Sequence, residues 1–265
     1  VIYSVFNEEP LQGTAKGRKI AERMTAQIKA LDPDRPVLGA FNGGYMEEEG
    51  AATVFDITGI NYYTDSYDAF HKKYPHQPVA ASELVSAFST RDTYRDNEEE
   101  QVFSNYDEKT APWGETVRAA NESVLSRDFI MGMFVWTGFD YRGEPSPYEW
   151  PSVSSHFGII DTCGFPKDTY YLYQACWKNE TVLHLLPHWN HKRGETVRVM
   201  TFSNCEEVEL FLNGRSMGRK KNEIYEQCAW DLEFEPGTLR AAGYISEKQV
   251  IEAARKTAGE AVSIR

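Results

Sequence analysis

The stretch VIYSVFNEEP, residues 1–10, decides how the rest of the chain is interpreted. Six mostly apolar residues lead into the polar pair Asn7-Glu8, and the stretch ends at Pro10. Parallel strands that are covered on both faces have continuous apolar sequences, and in barrels of alternating strands and helices the reacting groups lie where the strands end. The stretch therefore predicts a buried strand that carries Glu8 to a cleft. The alternative is a strand that merely ends in a charged turn.

A second stretch, PVAASE at residues 78–83, repeats this design and ends in Glu83. If both strands belong to one parallel sheet, the side chains of Glu8 and Glu83 can meet at one rim although they are distant in sequence. Two carboxyl groups that face one cleft are what glycoside hydrolysis requires, one as a proton donor and the other as an ionised group that attacks the sugar. Burial and mutual repulsion separate their pKa values and so allow two roles.

Strands and helices alternate through the first 180 residues. Besides the two acid-bearing strands, the pattern predicts strands at residues 35–41, 54–63 and 129–141, a short strand-like piece at 157–161, and helices at 13–31, 45–52, 65–74, 116–126 and 168–178. Such alternation indicates βαβ units and a parallel sheet. Residues 84–112 are polar and too long for a simple connection, which is typical of a lid or binding loop.

From residue 181 the pattern changes to short strands separated by turn residues. Strands are predicted at residues 182–186, 197–202, 208–212, 230–234, 239–245 and 249–253. Asn213-Gly214 is a strong hairpin signal, and strands at this spacing suggest an antiparallel sandwich of immunoglobulin type. The fold class is therefore α/β plus all-β, with domains at residues 1–180 and 181–265.

Composition limits the possible partners. The 265 residues carry a net charge of -12 and have a pI near 5.0, which argues against nucleic acid and anionic membranes because both attract basic proteins. No apolar run approaches the ~20 residues of a membrane-spanning helix. The four cysteines lack CxxC spacing, which indicates buried free thiols and not a metal site or disulfide framework.

The ordered motifs resemble glycoside hydrolase family 2, especially bacterial β-galactosidases with immunoglobulin-like C-terminal domains. Asn7-Glu8 resembles the acid/base signature of the family, and Ser82-Glu83 resembles its nucleophile strand. Further similar segments are FVWTGFDYRGE at residues 134–144, FGIID at 157–161, GFPKDTYYLY at 164–173, HLLPHW at 184–189 and VELFLNG at 208–214. The resemblance implies a partial (β/α)8 TIM barrel, about strands 4 to 8, followed by an immunoglobulin-like β-sandwich.

The resemblance also implies roles for individual residues. Glu8 is expected to act as general acid and then base, and Glu83 as the nucleophile of a retaining double displacement. Tyr62 resembles the tyrosine that hydrogen-bonds the nucleophile. Asn7 is expected to contact the sugar 2-hydroxyl group, and Trp136 to form a wall of the sugar subsite.

Other residues are weaker candidates. Tyr63 is the alternative to Tyr62, and Asp140 and Trp150 are possible further contacts. The remaining candidates are three histidines that suggest zinc only at first sight, because no acid or cysteine cluster accompanies them: His184, His188 and His191. No metal is assigned, since the magnesium or sodium ligands of family members precede the Asn-Glu motif.

The resemblance favours a β-galactosidase acting on terminal β-linked sugars, with β-glucuronidase or β-mannosidase as alternatives. The competing interpretation from another class is a non-catalytic carbohydrate-binding or assembly fragment. The chain begins at what resembles the fourth barrel strand, so we expect a missing N-terminal part of the same enzyme as partner, an inactive isolated fragment and a possible homo-oligomer. The resemblance suggests a bacterial periplasmic or secreted protein.

Overall fold

The computed structural model describes residues 1–260, which form two compact units. One unit contains residues 1–86 and 110–137, and the other contains residues 87–109 together with residues 138–260. This division follows spatial compactness. The predicted domain boundary between residues 180 and 181 stays a prediction.

The first unit is built on a five-stranded parallel sheet with the strand order β1-β2-β3-β4-β5. The strands are β1 (Tyr3–Asn7), β2 (Val37–Phe41), β3 (Ile57–Asn61), β4 (Val79–Val85) and β5 (Ile130–Trp136). All residues of β2 and β3 are buried, as expected for the centre of a parallel sheet. The predicted parallel sheet is thereby confirmed, in sequence order and with both acid-bearing strands in it.

Three helices accompany the sheet: α1 (Ala15–Leu31), α2 (Tyr67–Lys73) and α3 (Val117–Leu125). Thr14 caps α1, because its hydroxyl oxygen accepts the backbone N–H of Gly17. The helix predicted at residues 45–52 is wrong, and the structure has only a 3₁₀ turn at Ala52–Val54. Two glycines precede that segment, a third lies within it, and three consecutive glutamates repel one another, so no helix forms.

The edges of the first unit carry exposed apolar side chains. The edge strands are β1 and β5, and Tyr3, Met131 and Phe134 on them are 40%, 58% and 53% exposed. On α1, Ile20 and Met24 of the predicted apolar face are also exposed. The helix was therefore correctly predicted, but its predicted apolar face is mostly exposed.

The second unit contains α4 (Asp168–Trp177) and two antiparallel sheets. The three-stranded sheet has the order β10-β7-β6 and the four-stranded sheet the order β12-β11-β8-β9. Their strands are β6 (Leu183–Leu186), β7 (Thr196–Ser203), β8 (Glu207–Leu212), β9 (Arg215–Lys221), β10 (Cys228–Glu233), β11 (Thr238–Ile245) and β12 (Lys248–Lys256). Apolar residues from both sheets form one core that includes Val199, Leu210 and Trp230.

The hairpin of this unit agrees with the sequence prediction, and two strand assignments differ from it. Asn213 and Gly214 join β8 to β9 with φ values of 51° and 80°, as a two-residue hairpin requires, so the predicted hairpin is confirmed. Strand β9 itself was not predicted. Of the short strand-like piece predicted at residues 157–161, the structure has only isolated bridges of Ile160 to Phe139 and to Pro166.

Two further sequence expectations concern thiols and membranes. All four cysteines are free. Cys205 and Cys228 are buried as expected and Cys176 is partly buried, but Cys163 is exposed, so the expectation of buried thiols is wrong for Cys163. Cys163 lies in a turn in which its backbone N–H donates to the Asp161 carboxylate at 2.9 Å. No helix within residues 1–260 combines the length and apolar character needed to cross a membrane.

Candidate active site

The predicted acids lie at one end of the parallel sheet. Glu8 directly follows β1, and Glu83 lies near the end of β4. In both strands the pairing register with the neighbouring strand shifts by one residue before the acid: between Ser4 and Asn7 in β1, and in β4 beside the β3 residues Gly59 and Asn61. Such bulges redirect side chains and are common beside active sites. In both strands the regular pairing is therefore interrupted just before the acid.

The Glu8 carboxylate is held by two neutral amides. The Nδ2 of Asn61 donates to Oε1 at 2.9 Å, and the Nδ2 of Asn42 donates to Oε2 at 3.2 Å. Gln12 in turn donates to the Asn42 carbonyl oxygen at 2.6 Å and fixes the orientation of that amide. Each carboxylate oxygen has two lone pairs, so these bonds leave capacity for a transferable proton.

Asn61 connects this network to the second acid. The residue is fully buried at the end of β3, pairs in register with Glu83, and donates its second amide proton to Asn7 Oδ1 at 2.9 Å. Its carbonyl oxygen accepts the Ser82 hydroxyl at 2.6 Å. Asn61 thus holds Asn7 and Glu8 from a strand position beside Glu83, and it orients the Asn7 amide with its oxygen toward β3.

Glu83 receives a hydrogen bond from Tyr62. The phenol hydroxyl donates to Oε1 at 2.8 Å and also lies 2.8 Å from the Ser86 hydroxyl. Burial is the main cause that raises the pKa of Tyr62 far above its ordinary value of 10, and the negative charge of Glu83 raises it further, while the Ser86 hydroxyl lowers it. Tyr62 therefore remains a proton donor at every physiological pH.

Trp136 and Tyr63 lie at the same ends of the strands. Trp136 is the last residue of β5, its side chain is 36% exposed, and its carbonyl oxygen accepts the backbone N–H of Ser86. A cis peptide bond joins it to Thr137. The side chain of Tyr63 is 51% exposed, and its ring lies against that of Tyr45. Of the two adjacent tyrosines, the one whose hydroxyl reaches Glu83 is Tyr62.

The remaining candidates lie in the second unit and make structural contacts there. Asp140 forms an ion pair at 2.8 Å with Lys167, whose side chain is almost fully buried. His184 bonds Asp168 at 2.5 Å and stacks on a tyrosine ring. Trp150 is 83% exposed.

Two histidines complete the set of candidates. His188 and His191 stack on one another. Within residues 1–260, no group of three or more His, Cys, Asp or Glu side chains converges in a way that fits a metal ion.

Sequence reasoning missed Asn61, Asn42 and Ser86. The available signal was that all three residues directly end or follow apolar strands, as the two acids do. What the sequence does not contain is the register shift that places Glu83 opposite Asn61. The resulting site offers two carboxyl groups, a phenol donor and an exposed aromatic ring. This combination suits acid-assisted displacement at a sugar carbon.

Comparison with known proteins is consistent with this chemistry. Residues 194–251 match the model of a domain of unknown function, DUF4982. The chain is 38% identical to the β-galactosidase BoGH2A of Bacteroides ovatus over 93% of its own length and 31% of that protein. It is 33% identical to a putative β-glucuronidase of Formosa agariphila, over 90% of its own length and 26% of that protein. The chain therefore spans about a third or less of these relatives.

Solved structures show similar folds. A β-glycosidase from Bacteroides vulgatus superposes with a TM-score of 0.81 at 29% identity, covering 98% of this chain and 36% of that one. A member of glycosyl hydrolase family 2 from Bacteroides cellulosilyticus superposes with a TM-score of 0.77 at 25% identity, covering 98% and 33%. Both comparisons include the parallel sheet and the antiparallel sheets.

Proposed function

We propose that this chain, which belongs to glycoside hydrolase family 2, supplies both catalytic carboxyl groups of a retaining β-glycosidase. The observation that carries the proposal is the position of Asn61, which bonds the carboxylate of Glu8 and pairs in register with Glu83. Because one buried residue adjoins both acids, the acids share one rim of the sheet. A retaining mechanism requires the carboxyl groups to be ~5–5.5 Å apart, and an inverting one ~6.5–9.5 Å.

In the first step, a carboxylate oxygen of Glu83 attacks the anomeric carbon while the bond from that carbon to the leaving oxygen breaks. Glu8 gives its proton to the leaving oxygen. The Tyr62 hydroxyl bonds the nucleophile at 2.8 Å and orients it. The Asn7 amide nitrogen, directed away from Asn61, is proposed to donate to the sugar 2-hydroxyl group, and Trp136 to face the sugar ring. The product is a covalent glycosyl-enzyme.

In the second step, water attacks the anomeric carbon, Glu8 takes a proton from that water, and Glu83 leaves as a carboxylate. The amides of Asn61 and Asn42 bond the ionised form of Glu8 and are already in place when it forms. Both steps are written with the side chains named above, and no metal is assigned to either.

The proposed substrate is a terminal β-galactoside, because the relative at 38% identity is a β-galactosidase. A β-glucuronide is the second candidate, because the relative at 33% identity is a putative β-glucuronidase. Aryl β-galactoside, β-glucuronide, β-mannoside and β-glucoside assayed with the complete gene product distinguish these options. The highest kcat/KM on the β-glucuronide would replace the first candidate by the second.

We further propose that residues 1–180 correspond to about strands 4 to 8 of a (β/α)8 barrel and residues 181–265 to an immunoglobulin-like sandwich. The uncovered apolar side chains of β1, α1 and β5 support an open sheet that further polypeptide covers, either from the same enzyme or from a second copy. The 265-residue chain alone is then expected to be inactive toward an aryl β-galactoside. Turnover at the rate of the complete gene product would contradict this.

The test of the two roles uses leaving groups of different acidity. Glu83→Gln should abolish turnover of all substrates in the complete gene product, because no nucleophile remains. Glu8→Ala should spare substrates whose leaving group needs no proton, such as a dinitrophenyl glycoside, and should impair a methyl glycoside severely. Equal losses on both substrates would contradict the roles. Sugar binding without hydrolysis by the wild type would favour a non-catalytic carbohydrate-binding module.

A further inference from the structure

The hydrogen bonds around the Tyr62 hydroxyl can be assigned by counting protons. The phenol has one proton, a carboxylate only accepts, and an indole N–H only donates. The phenol oxygen contacts Glu83 Oε1 and Ser86 Oγ, each at 2.8 Å, and the Trp113 side chain also hydrogen-bonds it. Since the one phenol proton goes to the carboxylate, the hydroxyl of Ser86 must be the donor to Tyr62. Two donors thus bond the phenol oxygen, and the phenol proton is directed to Glu83.

The backbone of Ser86 is held in a conformation that directs its hydroxyl to Tyr62. Ser86 is fully buried with φ 51°, and the preceding Val85 has φ 88°. A β-branched residue rarely adopts such a value. The N–H of Ser86 donates to the Trp136 carbonyl oxygen at 3.2 Å, and its own carbonyl oxygen accepts the N–H of Ala111 at 3.0 Å. Strain that the surroundings fix so firmly is typical of functional sites.

The segment that carries Trp113 is fixed to the same point. The N–H of Glu115 donates to the Val85 carbonyl oxygen at 2.7 Å. A Cβ atom on Gly114 would lie 2.5 Å from that oxygen, so only glycine permits this approach. Glu115 also accepts the hydroxyl of Thr64, two residues after Tyr62. Glu115 after Trp113 and Ala111 before it are therefore both hydrogen-bonded to the end of β4, and these bonds hold Trp113 beside the phenol.

We propose that Ser86, with Trp113 as second donor, is a positioning residue that directs the proton of Tyr62 onto Glu83. The inference rests on the proposed function, in which Glu83 is the nucleophile. A donor to the phenol oxygen polarises its O–H bond and strengthens the bond that this group makes onward. The Ser86 hydroxyl therefore stabilises the ionised form of Glu83 without touching substrate.

The experiment compares Ser86→Ala in two backgrounds of the complete gene product. In the wild-type background, kcat/KM should fall about 3- to 10-fold, the range of one weakened hydrogen bond, and the acidic limb of its pH profile should move to higher pH. In the Tyr62→Phe background, Ser86→Ala should have no further effect on either quantity. Trp113→Phe should behave in the same way, and it replaces Ser86→Ala as the test if that variant does not fold. Ser104→Ala is the control, because this buried hydroxyl has no hydrogen-bond partner among the described residues.

An unmoved acidic limb, or an equal loss in both backgrounds, would overturn the inference, since Ser86 would then act only on packing. The proposed function is tested separately by mass spectrometry of the wild type after treatment with a 2-deoxy-2-fluoroglycoside that carries a good leaving group. If Glu83 is labelled and the Ser86 results are negative, only the inference fails. If the label is on another residue, both fail.

Discussion

Asn61→Asp is the substitution that most directly tests the network between the acids. The new side chain has the same shape, but it places a carboxylate where the Asn61 amide nitrogen now lies 2.9 Å from Glu8 Oε1. At an effective dielectric constant of about 20, two unit charges at that distance repel by about 5–6 kcal/mol. For a chain of this size, we expect the Tm at neutral pH to fall by roughly 10–20 °C.

The loss should depend on pH with a defined sign. Repulsion and burial raise the pKa of the new carboxyl above its unfolded value of about 3.9. The folded state then binds more protons than the unfolded state above about pH 4, so the variant loses stability relative to the wild type as the pH rises from there. Differential scanning calorimetry from pH 4 to pH 8 measures this. At pH 4 a smaller loss should remain, because a protonated carboxyl donates one hydrogen bond where the amide donates two.

Two controls separate this repulsion from the lost hydrogen bonds. Asn61→Leu removes the bonds without adding a charge, so its loss of Tm should vary much less between pH 4 and pH 8. Glu8→Gln combined with Asn61→Asp replaces the repulsion by an amide–carboxylate hydrogen bond, and most of the Tm loss at neutral pH should be recovered. If Asn61→Asp and Asn61→Leu have the same pH dependence, or if Glu8→Gln recovers nothing, the contact between Asn61 and Glu8 is not present in the protein.

Two further substitutions test the packing in each unit. Lys167→Met leaves the carboxylate of Asp140 buried without its cation and should cost about 3–5 kcal/mol of unfolding free energy. Combining it with Asp140→Asn should recover most of that loss. An unchanged urea midpoint of the single variant would contradict the 2.8 Å ion pair. Gly39→Ala places a Cβ 2.4 Å from the ring of Phe55 and should cost about 1–3 kcal/mol by overpacking. Gly43→Ala, with no atom within 4 Å of the new Cβ, is the matched control, and equal urea midpoints for the two alanine variants would refute the crowding at Gly39.

The sequence predicted the elements whose signal is local. Continuous apolar runs identified all five parallel strands, and the periodicity of residues 13–31 identified α1. Asn213-Gly214 identified the hairpin because its two positive φ values suit those residue types. Strand β9 was missed because only Met217 among its residues is an apolar side chain of any size. It is an edge strand that exists because β8 supplies its hydrogen bonds.

The sequence could place two acids near strand ends but could not show which neighbours hold them. Side-chain direction alternates along a strand, so one extra residue turns every following side chain to the other face. The bulges in β1 and β4 are such extra residues, and no residue type in either strand predicts them. In the sequence, Asn61 is visible only as a polar residue at the end of an apolar strand. Its contacts with Asn7, Glu8 and Ser82 depend on a register that only the assembled sheet defines.

The same left-handed backbone conformation occurs where three strands end at the site. Glu8, Tyr62 and Ser86 directly follow β1, β3 and β4, respectively, and each has a φ between 51° and 63°. In each case the residue's N–H donates to a carbonyl oxygen of the next strand: Ala40, Glu83 and Trp136, respectively. Each left-handed residue costs about 1–2 kcal/mol. One more interstrand hydrogen bond offsets part of that cost and fixes the point where the backbone turns. Since the turn sets where each side chain starts, the sheet that stabilises the unit also positions the groups proposed to carry out hydrolysis.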